Sequence, residues 1–272
     1  MMRRITRHSR VTAAVILGAA TMFGAATPAG AGKLPNGFVY LGDVAPGIVE
    51  DMRYATSNNF TGRPVPGYLA GRCILAKPVA AALARVQARV ARQGYAIKVY
   101  DCYRPVRAVK AFVRWARSGA DGGAATKSYY PRIARSRIMA LGYIAGRSSH
   151  SRGTAVDVTL VRAGAADAAR RAPTAKLDVR PPARSALRSA ATCIADEAAR
   201  APDSSIDMGT AWDCFDVKSH TYHLGISRAA AANRRRLLGA MSAEGFRNYK
   251  REWWHFSLAL KGYRRAHTFP VD

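Results

Sequence analysis

The sequence predicts an α+β domain in which helices flank a central, mainly antiparallel sheet. With 272 residues, the chain is long enough to bury one substantial core. Hydrophobic residues make up 49% and charged residues 22%, which is typical of a folded globular protein and excludes disordered and coiled-coil classes. Helical and strand periodicities both occur along the chain, without an internal repeat, so helices and strands both contribute to the domain.

The first part of the chain is predicted to be an irregular segment followed by alternating helix and strand. Residues 32–72 are rich in Gly, Pro and Asn, which indicates an arm wrapped on the domain. Pro78 in the first turn and Gly94 after the last apolar position delimit the first long helix. The elements predicted here are short extended pieces at 39–41 and 51–54, a helix over 77–93, a strand over 95–102 and a helix over 106–117.

The second part of the chain contains a predicted insertion. Residues 162–207 are enriched in Ala, Arg, Asp and Pro, so we expect a surface excursion with one helix over 185–200. Ser227 is a suitable N-cap for the helix that follows it. The other elements predicted here are a loop and strand over 148–160, a helix over 228–241 and a last strand over 253–260.

The N-terminus has the order of a secretory signal peptide. Arginines at positions 3, 4, 7 and 10 precede an apolar stretch over 11–26, and Ala29-Gly30-Ala31 is typical of a cleavage site. We therefore expect cleavage near Ala31 and an exported protein, periplasmic or secreted. The alternative, a membrane anchor, requires about 20 uninterrupted apolar residues, more than this stretch provides.

The net charge indicates a polyanionic partner. Lys and Arg number 43 against 17 Asp and Glu, a formal charge of +26. Export and the absence of a recognisable RNA- or DNA-binding motif argue against nucleic acid. An anionic wall or membrane surface is the electrostatic partner that we expect, and the sequence leaves the oligomeric state open.

The four cysteines all follow the predicted cleavage site. An even number of cysteines in an exported protein favours disulfides, and four cysteines allow three pairings. Proximity in sequence favours Cys73 with Cys102 and Cys193 with Cys214. A thiolate zinc site is disfavoured because the chain has no C-x-x-C pair.

His150, Asp157 and His255 are the candidate metal ligands. His150 lies in a loop that leads into a strand, and on that strand Asp157 points away from the apolar face. His255 alternates in the same way with apolar residues of the last strand. Two imidazoles and one carboxylate are the three-ligand set of a catalytic zinc with one open position.

Glu252 is a candidate general base, three residues before His255 and outside the ligand set. His220 and His223 form an H-x-x-H pair that suits a metal equally well. The spacing alone therefore leaves the ligand set open.

A longer set of motifs resembles a known family. Ser148-x-His150-x-x-Gly153-x-Ala155-x-Asp157 and Glu252-Trp253-Trp254-His255 resemble the zinc D-alanyl-D-alanine dipeptidases, the VanX-type branch of the D,D-peptidases related to the Hedgehog signalling domain. The resemblance runs from about residue 38 to residue 258. It includes Met52-Arg53-Tyr54-Ala55-Thr56, Asn59-Phe60-Thr61-Gly62-Arg63, Asp101-Cys102-Tyr103-Arg104-Pro105, Met208-Gly209-Thr210-Ala211-Trp212-Asp213, Ser219-His220 and Asn233-Arg234-Arg235-Arg236-Leu237.

The resemblance implies a Hedgehog/D,D-peptidase-like fold and hydrolysis of the D-Ala-D-Ala dipeptide. It implies one zinc ion per chain, with His150, Asp157 and His255 as ligands. Glu252 would be the base and proton shuttle that activates water at the zinc, and Arg104 would stabilise the developing oxyanion.

The resemblance also implies two residues that bind the ends of the substrate. Ser148 would help to hold the substrate carboxylate, and Asp213 would lie near the free ammonium group. Each assignment has a structural alternative. Three such alternatives remain open: Ser148 could be a loop cap, Asp213 could be a turn residue, and Arg104 could form a structural ion pair with Asp101.

Two other functions are compatible with the sequence. One is a peptidoglycan D,D- or L,D-carboxypeptidase or endopeptidase, which export and the basic surface favour. The insertion at 162–207 could widen the cleft and so admit longer peptides. The other is a non-catalytic wall-binding module that keeps the fold and the zinc, and the presence of Glu252 and Arg104 argues against it.

Overall fold

The computed structural model describes residues 34–119, 123–171 and 191–272. The predicted signal peptide, its cleavage near Ala31 and the alternative of a membrane anchor lie outside the described residues, as does part of the predicted insertion. Across the described ranges, every helix is too short or too polar to span a bilayer.

The bounds of the elements are as follows. The strands are β1 (Phe38–Tyr40), β2 (Val49–Glu50), β3 (Ile74–Ala76), β4 (Tyr95–Asp101), β5 (Ala155–Arg162), β6 (Arg247–Asn248) and β7 (His255–Ser257). The α-helices are α1 (Leu41–Val44), α2 (Lys77–Ala91), α3 (Val106–Arg117), α4 (Gly123–Lys127), α5 (Ala163–Arg171) and α6 (Arg228–Ser242). Short 3-10 turns lie at Arg53–Ala55, Arg135–Arg137, His150–Arg152, Glu197–Ala199 and Val217–Ser219.

The main sheet has five strands in the order β2-β4-β5-β7-β6. Its pairings are antiparallel except for that of the short strand β2, which runs parallel to β4. A separate antiparallel pair joins β1 to β3. The prediction of an α+β fold with a mainly antiparallel central sheet is therefore confirmed.

One face of the main sheet is apolar and belongs to the core that the long helices share. The β4–β5 register places Ile97 opposite Leu160 and Val99 opposite Val158, and opposite residues share a face. Helix α2 contacts β4, and α6 contacts both α2 and β5. The apolar residues of these elements form one continuous core.

The other face carries polar residues, and the C-terminal end of the predicted insertion covers them. On this face Lys98 lies opposite Thr159. Thr159 Oγ1 lies 2.6 Å from Ser205 Oγ, and Lys98 forms an ion pair with Asp203. Ser205 also pairs with Val161 of β5 as an isolated bridge, so this end of the predicted surface excursion is part of the sheet.

Three predicted helices are confirmed. Helix α2 begins at Lys77 with proline in its first turn, and it ends shortly before Gly94. Helix α3 occupies the predicted range, 106–117. Helix α6 follows Ser227, whose hydroxyl accepts a hydrogen bond from the amide of Ala230 at 3.0 Å and so caps the helix.

Three predicted elements differ from the structure. In the arm at 32–72, the extended piece predicted at 39–41 is confirmed as β1. The piece at 51–54 is not a strand, because Arg53 and Tyr54 lie in a 3-10 turn whose local hydrogen bonds replace a ladder. The last strand covers 255–257 rather than 253–260, since the amide of Trp253 bonds to Ser219 outside the sheet. Within 191–200, the predicted helix is a single 3-10 turn, and helix α5 was not predicted.

Both favoured disulfide pairings are confirmed. Cys73 is bonded to Cys102, which joins the start of β3 to the loop after β4. Cys193 is bonded to Cys214, which joins the described C-terminal part of the predicted insertion to the loop that carries Asp213.

Candidate active site

The pairing of strands β4, β5 and β7 places two carboxylates and one imidazole side by side in one row. Asp101 at the end of β4 lies opposite Asp157 of β5, and Asp157 lies opposite His255 of β7. Directly opposite residues in antiparallel strands point to the same face. The polar face of the sheet therefore carries Asp101, Asp157 and His255 side by side.

His150 reaches this row from a tight turn. The turn His150–Arg152 ends at Gly153, whose φ of 66° lies in the left-handed region. A side chain at Gly153 would also collide with Phe38, since a Cβ there would lie 2.5 Å from the Phe38 ring. The Nδ1 atom of His150 donates a hydrogen bond to the Cys102 carbonyl at 2.6 Å, which directs Nε2 to the row.

The geometry of His150, Asp157 and His255 fits a metal ion. His150 Nε2 lies 3.0 Å from His255 Nδ1 and 3.2 Å from Asp157 Oδ1, and the last two atoms are 3.0 Å apart. Ligand atoms around a tetrahedral zinc with bonds of about 2.0–2.1 Å are roughly 3.3–3.4 Å apart. Among the described residues, this trio is the cluster of potential ligands that could surround one ion.

The protonation states that burial and charge favour are those of metal ligands. Burial lowers the pKa of His255, and the imidazole is therefore neutral. Burial alone would raise the pKa of Asp157, but its interactions with His150 and His255 hold that pKa well below the usual range. An ionised carboxylate and neutral imidazoles are the forms that bind zinc.

Glu252 lies beside the three candidate ligands without joining them. Its Oε2 atom is 4.0 Å from His255 Nδ1. Burial, together with the negative charges of Asp157 and Asp213, raises the pKa of Glu252 well above its usual range. A carboxyl group with a raised pKa exchanges protons more readily near neutral pH, which suits a general acid and base.

Arg104 has both of the contacts that the sequence left open. Its Nε atom donates to Asp101 Oδ2 at 2.8 Å, which is the structural ion pair. Its Nη2 atom lies 3.7 Å from Asp157 Oδ2, so the same guanidinium also faces the candidate ligands. Asp101 additionally accepts a hydrogen bond from Tyr68 at 2.6 Å and is fully buried, which fixes the orientation of Arg104.

Asp213 is buried at the side of the site that Tyr54 closes. The Tyr54 hydroxyl donates to Asp213 Oδ2 at 2.7 Å. Burial raises the pKa of Asp213 to about 8, against the lowering effect of this hydrogen bond. Its φ of 61° is left-handed, a conformation that residues with side chains seldom adopt and that often marks functional positions. Asp213 is thus a turn residue and a cavity residue at once.

The candidate residues share one cavity of about 290 Å³. Ser148 lines it, and its hydroxyl also accepts the amide of His150 at 3.2 Å, the contact of a loop cap. The other predicted site residues that line it are Arg104, His150, Asp157, Asp213, Glu252 and His255. The structure therefore brings together every residue for which the sequence predicts a role in metal binding, catalysis or substrate binding.

Other residues of the site were missed or left open by the sequence. Tyr54 and Tyr68 lie in or near the recognised motifs, but their hydrogen bonds to Asp213 and Asp101 cross the fold and leave no local pattern. The H-x-x-H pair is separate from the candidate metal site. His223 Nδ1 instead accepts the amide of Gly225 at 3.0 Å.

Comparisons with known proteins identify the family of the chain. A family model, Peptidase_M15, described as D-ala-D-ala dipeptidase, matches residues 35–170 and 175–272. The D-alanyl-D-alanine dipeptidase of Enterococcus faecium is 35% identical over 236 residues, 86% of this chain and 98% of the relative. The enzyme of the same name from Enterococcus faecalis (strain ATCC 700802 / V583) is 36% identical over 230 residues, 85% of this chain and 95% of the relative. That from Streptomyces coelicolor is 36% identical over 235 residues, 86% and 98% of the two chains.

Proposed function

Because the chain belongs to the Peptidase_M15 family of peptidases, we propose that it hydrolyses the D-Ala-D-Ala dipeptide. The curated relatives carry the name D-alanyl-D-alanine dipeptidase and align over nearly their whole length. The observation that carries the proposal is the shared cavity, in which a candidate metal site lies next to a buried carboxyl group and a guanidinium.

Zinc is the metal that we propose, with one ion per chain. His150, Asp157 and His255 supply two imidazoles and one carboxylate at compatible spacing, and this ligand set leaves one position open. When bound there, zinc polarises the scissile carbonyl and acidifies the attacking water.

Glu252 and Arg104 are the residues that we assign to the chemical step. The Glu252 carboxylate accepts a proton from the attacking water and donates it to the leaving amino group as the C–N bond breaks. Arg104, held by Asp101, presents its guanidinium to the oxyanion of the tetrahedral intermediate. Loss of one such donor costs about 3–4 kcal/mol of transition-state stabilisation in other hydrolases.

Ser148 and Asp213 are the residues that we assign to the two ends of the dipeptide. The Ser148 hydroxyl lies just before the turn that carries His150 and lines the cavity. It can donate a hydrogen bond to the substrate carboxylate. Asp213, when ionised, attracts the substrate ammonium group together with Asp157. The small size of the cavity favours a dipeptide over the stem peptides that a wall carboxypeptidase cleaves.

Export is part of the proposal. The N-terminal sequence has the order of a signal peptide, and two disulfides suit an oxidising compartment. We therefore place the mature enzyme in the periplasm or outside the cell, where it would act on free dipeptide or peptides derived from peptidoglycan. Residues 1–31 contain four arginines and no other charged residue except His8, so the mature chain would keep a formal charge of +22, which would draw it to anionic wall or membrane surfaces.

A substrate panel tests the proposal. We expect purified residues 32–272 to release D-Ala from D-Ala-D-Ala, to lose this activity in a zinc chelator, and to leave L-Ala-L-Ala intact. Release from a stem pentapeptide but not from the dipeptide would replace this function with a wall carboxypeptidase. Binding to peptidoglycan without any release of D-Ala would favour a non-catalytic wall-binding module.

A further inference from the structure

A second cavity, of about 500 Å³, lies directly behind the candidate active site. At residues 53–54, 59–60, 212–213 and 252–253, one residue lines the active-site cavity and its chain neighbour lines the second cavity. Four separate stretches of backbone therefore run along the boundary between the two spaces. The boundary is one layer of chain with side chains on either side.

Two aromatic rings form the central part of this boundary. Tyr54 faces the active-site cavity and Trp212 faces the second cavity, and their ring centroids are 5.1 Å apart. Trp212 is stacked in turn on Tyr100, also at 5.1 Å. Tyr54 and Trp212 are only 1% and 2% exposed, so both rings are closely packed by their neighbours. We call this pair the Tyr54–Trp212 partition.

The partition stands at the end of the active site that would receive the amino terminus of the substrate. Tyr54 holds Asp213 through its hydroxyl, and Asp213 is the residue that we assign to the substrate ammonium group. A residue added before the dipeptide would extend beyond Asp213, which Tyr54 of the partition contacts through its hydroxyl. Space for such a residue exists on the far side, in the second cavity.

We propose that the Tyr54–Trp212 partition sets the length of peptide that the enzyme accepts, by separating the active site from a cavity able to hold an N-terminal extension. This inference rests on the proposed dipeptidase function. The lining of the second cavity suits a peptide, because it combines aromatic rings with polar groups such as Asn58 and Glu197. Trp212 is the specificity-determining residue, because its indole fills the gap between Tyr54 and the second cavity.

The variant Trp212→Leu tests this role. Leucine keeps an apolar side chain at the position but is too short to fill the space of the indole. We expect kcat/KM for L-Lys-D-Ala-D-Ala, divided by kcat/KM for D-Ala-D-Ala, to rise about tenfold or more above the wild-type ratio. The same ratio for N-acetyl-D-Ala-D-Ala should rise as well, because that compound also extends the dipeptide at its amino end.

Ile206→Ala is the matched control. Ile206 also lines the second cavity, but it has no part in the partition. Its truncation enlarges the second cavity without joining it to the active site, so the substrate ratio should stay at the wild-type value. Near-ultraviolet circular dichroism and thermal unfolding report whether each variant keeps its fold.

The outcomes separate this inference from the function on which it rests. A wild-type enzyme inactive on D-Ala-D-Ala contradicts the proposed function itself. A folded Trp212→Leu variant that is active on the dipeptide but has an unchanged ratio overturns the role of the partition. If Trp212→Leu does not fold, the same substrate ratio is measured for the wild type and for Trp212→Phe, and these two measurements test the inference. Wild-type cleavage of the tripeptide as efficient as that of the dipeptide, or an unchanged ratio in Trp212→Phe, overturns the inference, and a rise in Trp212→Phe supports it.

Discussion

At the scale of single residues, the hydrogen bond from Tyr54 influences the charge of Asp213, the carboxyl group that we propose binds the amino end of the substrate. Burial raises the pKa of the Asp213 carboxyl, and the hydrogen bond from Tyr54 opposes that rise. A carboxyl that is buried, held in a left-handed conformation and hydrogen-bonded by a tyrosine depends on its neighbours for its charge.

The variant Tyr54→Phe tests this dependence. Loss of the hydroxyl raises the pKa of Asp213 further, so a smaller fraction of Asp213 is ionised at neutral pH. We expect KM for D-Ala-D-Ala to increase about 5- to 10-fold at pH 7, the effect of one lost charge-assisted hydrogen bond, with kcat changed much less. The increase should shrink as the pH rises and Asp213 ionises. A KM profile between pH 6 and 9 that coincides with that of the wild type would refute this role.

Glu252 is the residue that we propose as the base of the chemical step. Glu252→Gln keeps the shape of the side chain but removes the proton acceptor, so we expect kcat to fall by about 10²- to 10⁴-fold. Zinc content should stay at one ion per chain, because Glu252 lies outside the candidate ligands. Turnover above a tenth of the wild-type value, in a variant that binds zinc normally, would exclude Glu252 as the base.

Sequence reasoning located the site residues whose signal is local. His150, Asp157 and His255 are recognisable because strand alternation and motif spacing place them, and the register of β5 and β7 then sets Asp157 against His255. Tyr54 could not be assigned a role in this way. Its partner Asp213 is 159 residues away, and only the folded chain brings the two together.

At the scale of secondary-structure elements, the Cys73–Cys102 disulfide braces the candidate metal site. It ties the start of β3 to the loop that follows β4. The Cys102 carbonyl in that loop accepts the hydrogen bond of His150 Nδ1, and the amide of Arg104 bonds to the His150 carbonyl at 3.2 Å. The disulfide thus fixes the loop that orients one candidate ligand and one candidate catalytic residue.

Removal of this disulfide should weaken metal binding as well as stability. Closing a loop of 29 residues is worth about 3–4 kcal/mol in the chain-entropy account, and loss of a group that orients a ligand costs about 10- to 100-fold in metal affinity. We therefore expect Cys73→Ala/Cys102→Ala to unfold at a lower temperature and to bind zinc at least about tenfold more weakly in a competitive chelator titration.

The second disulfide provides the control for this experiment. Cys193 and Cys214 close a loop of similar length, 21 residues, so Cys193→Ala/Cys214→Ala should lose comparable stability. Neither cysteine contacts His150, Asp157 or His255 in the contacts that the described residues show, and zinc affinity should be preserved. Equal losses of zinc affinity in both double variants would show that the effect is general destabilisation rather than support of His150.

Elements with strong local patterns were the ones that sequence reasoning predicted well. Helices α2, α3 and α6 have regular apolar spacing and clear end signals, and they form within two residues of the predicted ends. The predicted strand at 253–260 was too long because the amide of Trp253 donates its hydrogen bond to the Ser219 carbonyl, outside the sheet. The insertion was difficult for a related reason: residues 203–206 are ordered by contacts to the sheet, not by a periodicity of their own.

At the scale of the whole molecule, a partly buried charge cluster fastens the C-terminal end of the predicted insertion to the sheet. Lys98 of β4, only 3% exposed, pairs with both Asp51 and Asp203, and Arg53 pairs with the same two carboxylates. The two positive charges of Lys98 and Arg53 therefore balance the two negative charges of Asp51 and Asp203. Burial alone would raise the pKa of Asp203, but the positive charges of Arg53 and Lys98 lower it to about 2.

This cluster predicts a pH-dependent contribution to stability. Because the folded pKa of Asp203 lies below its unfolded value of about 3.9, the contribution is complete above pH 4 and is lost as the pH falls through about 2. We expect Asp203→Asn to lower the free energy of unfolding by about 2 kcal/mol at pH 7, and by roughly half as much at pH 3.

Urea denaturation between pH 3 and pH 7, with a chelator present throughout, measures this contribution without interference from zinc. Asp196→Asn is the control, because Asp196 is exposed in the same segment and its replacement should change the stability by less than about 0.5 kcal/mol. A loss in Asp203→Asn that is the same at pH 3 as at pH 7 would contradict the assigned ion pairs.

The fold class could be predicted from the sequence, whereas the separation of the active-site cavity from the second cavity could not. Strands β4 and β5 and the long helices follow from their periodicities, and the shared cavity follows from the family motifs. The second cavity depends on how Trp212 and Tyr54 pack, and packing between residues far apart in sequence has no counterpart in local patterns.

The most direct test of the central claim is a zinc titration of the metal-free mature chain, residues 32–272, with D-Ala release from D-Ala-D-Ala as the readout. If His150, Asp157 and His255 form a single catalytic zinc site, activity should rise from near zero and reach its plateau at one equivalent of zinc per chain. Full activity in the metal-free chain, or no activity at saturating zinc in a folded chain, would contradict the account.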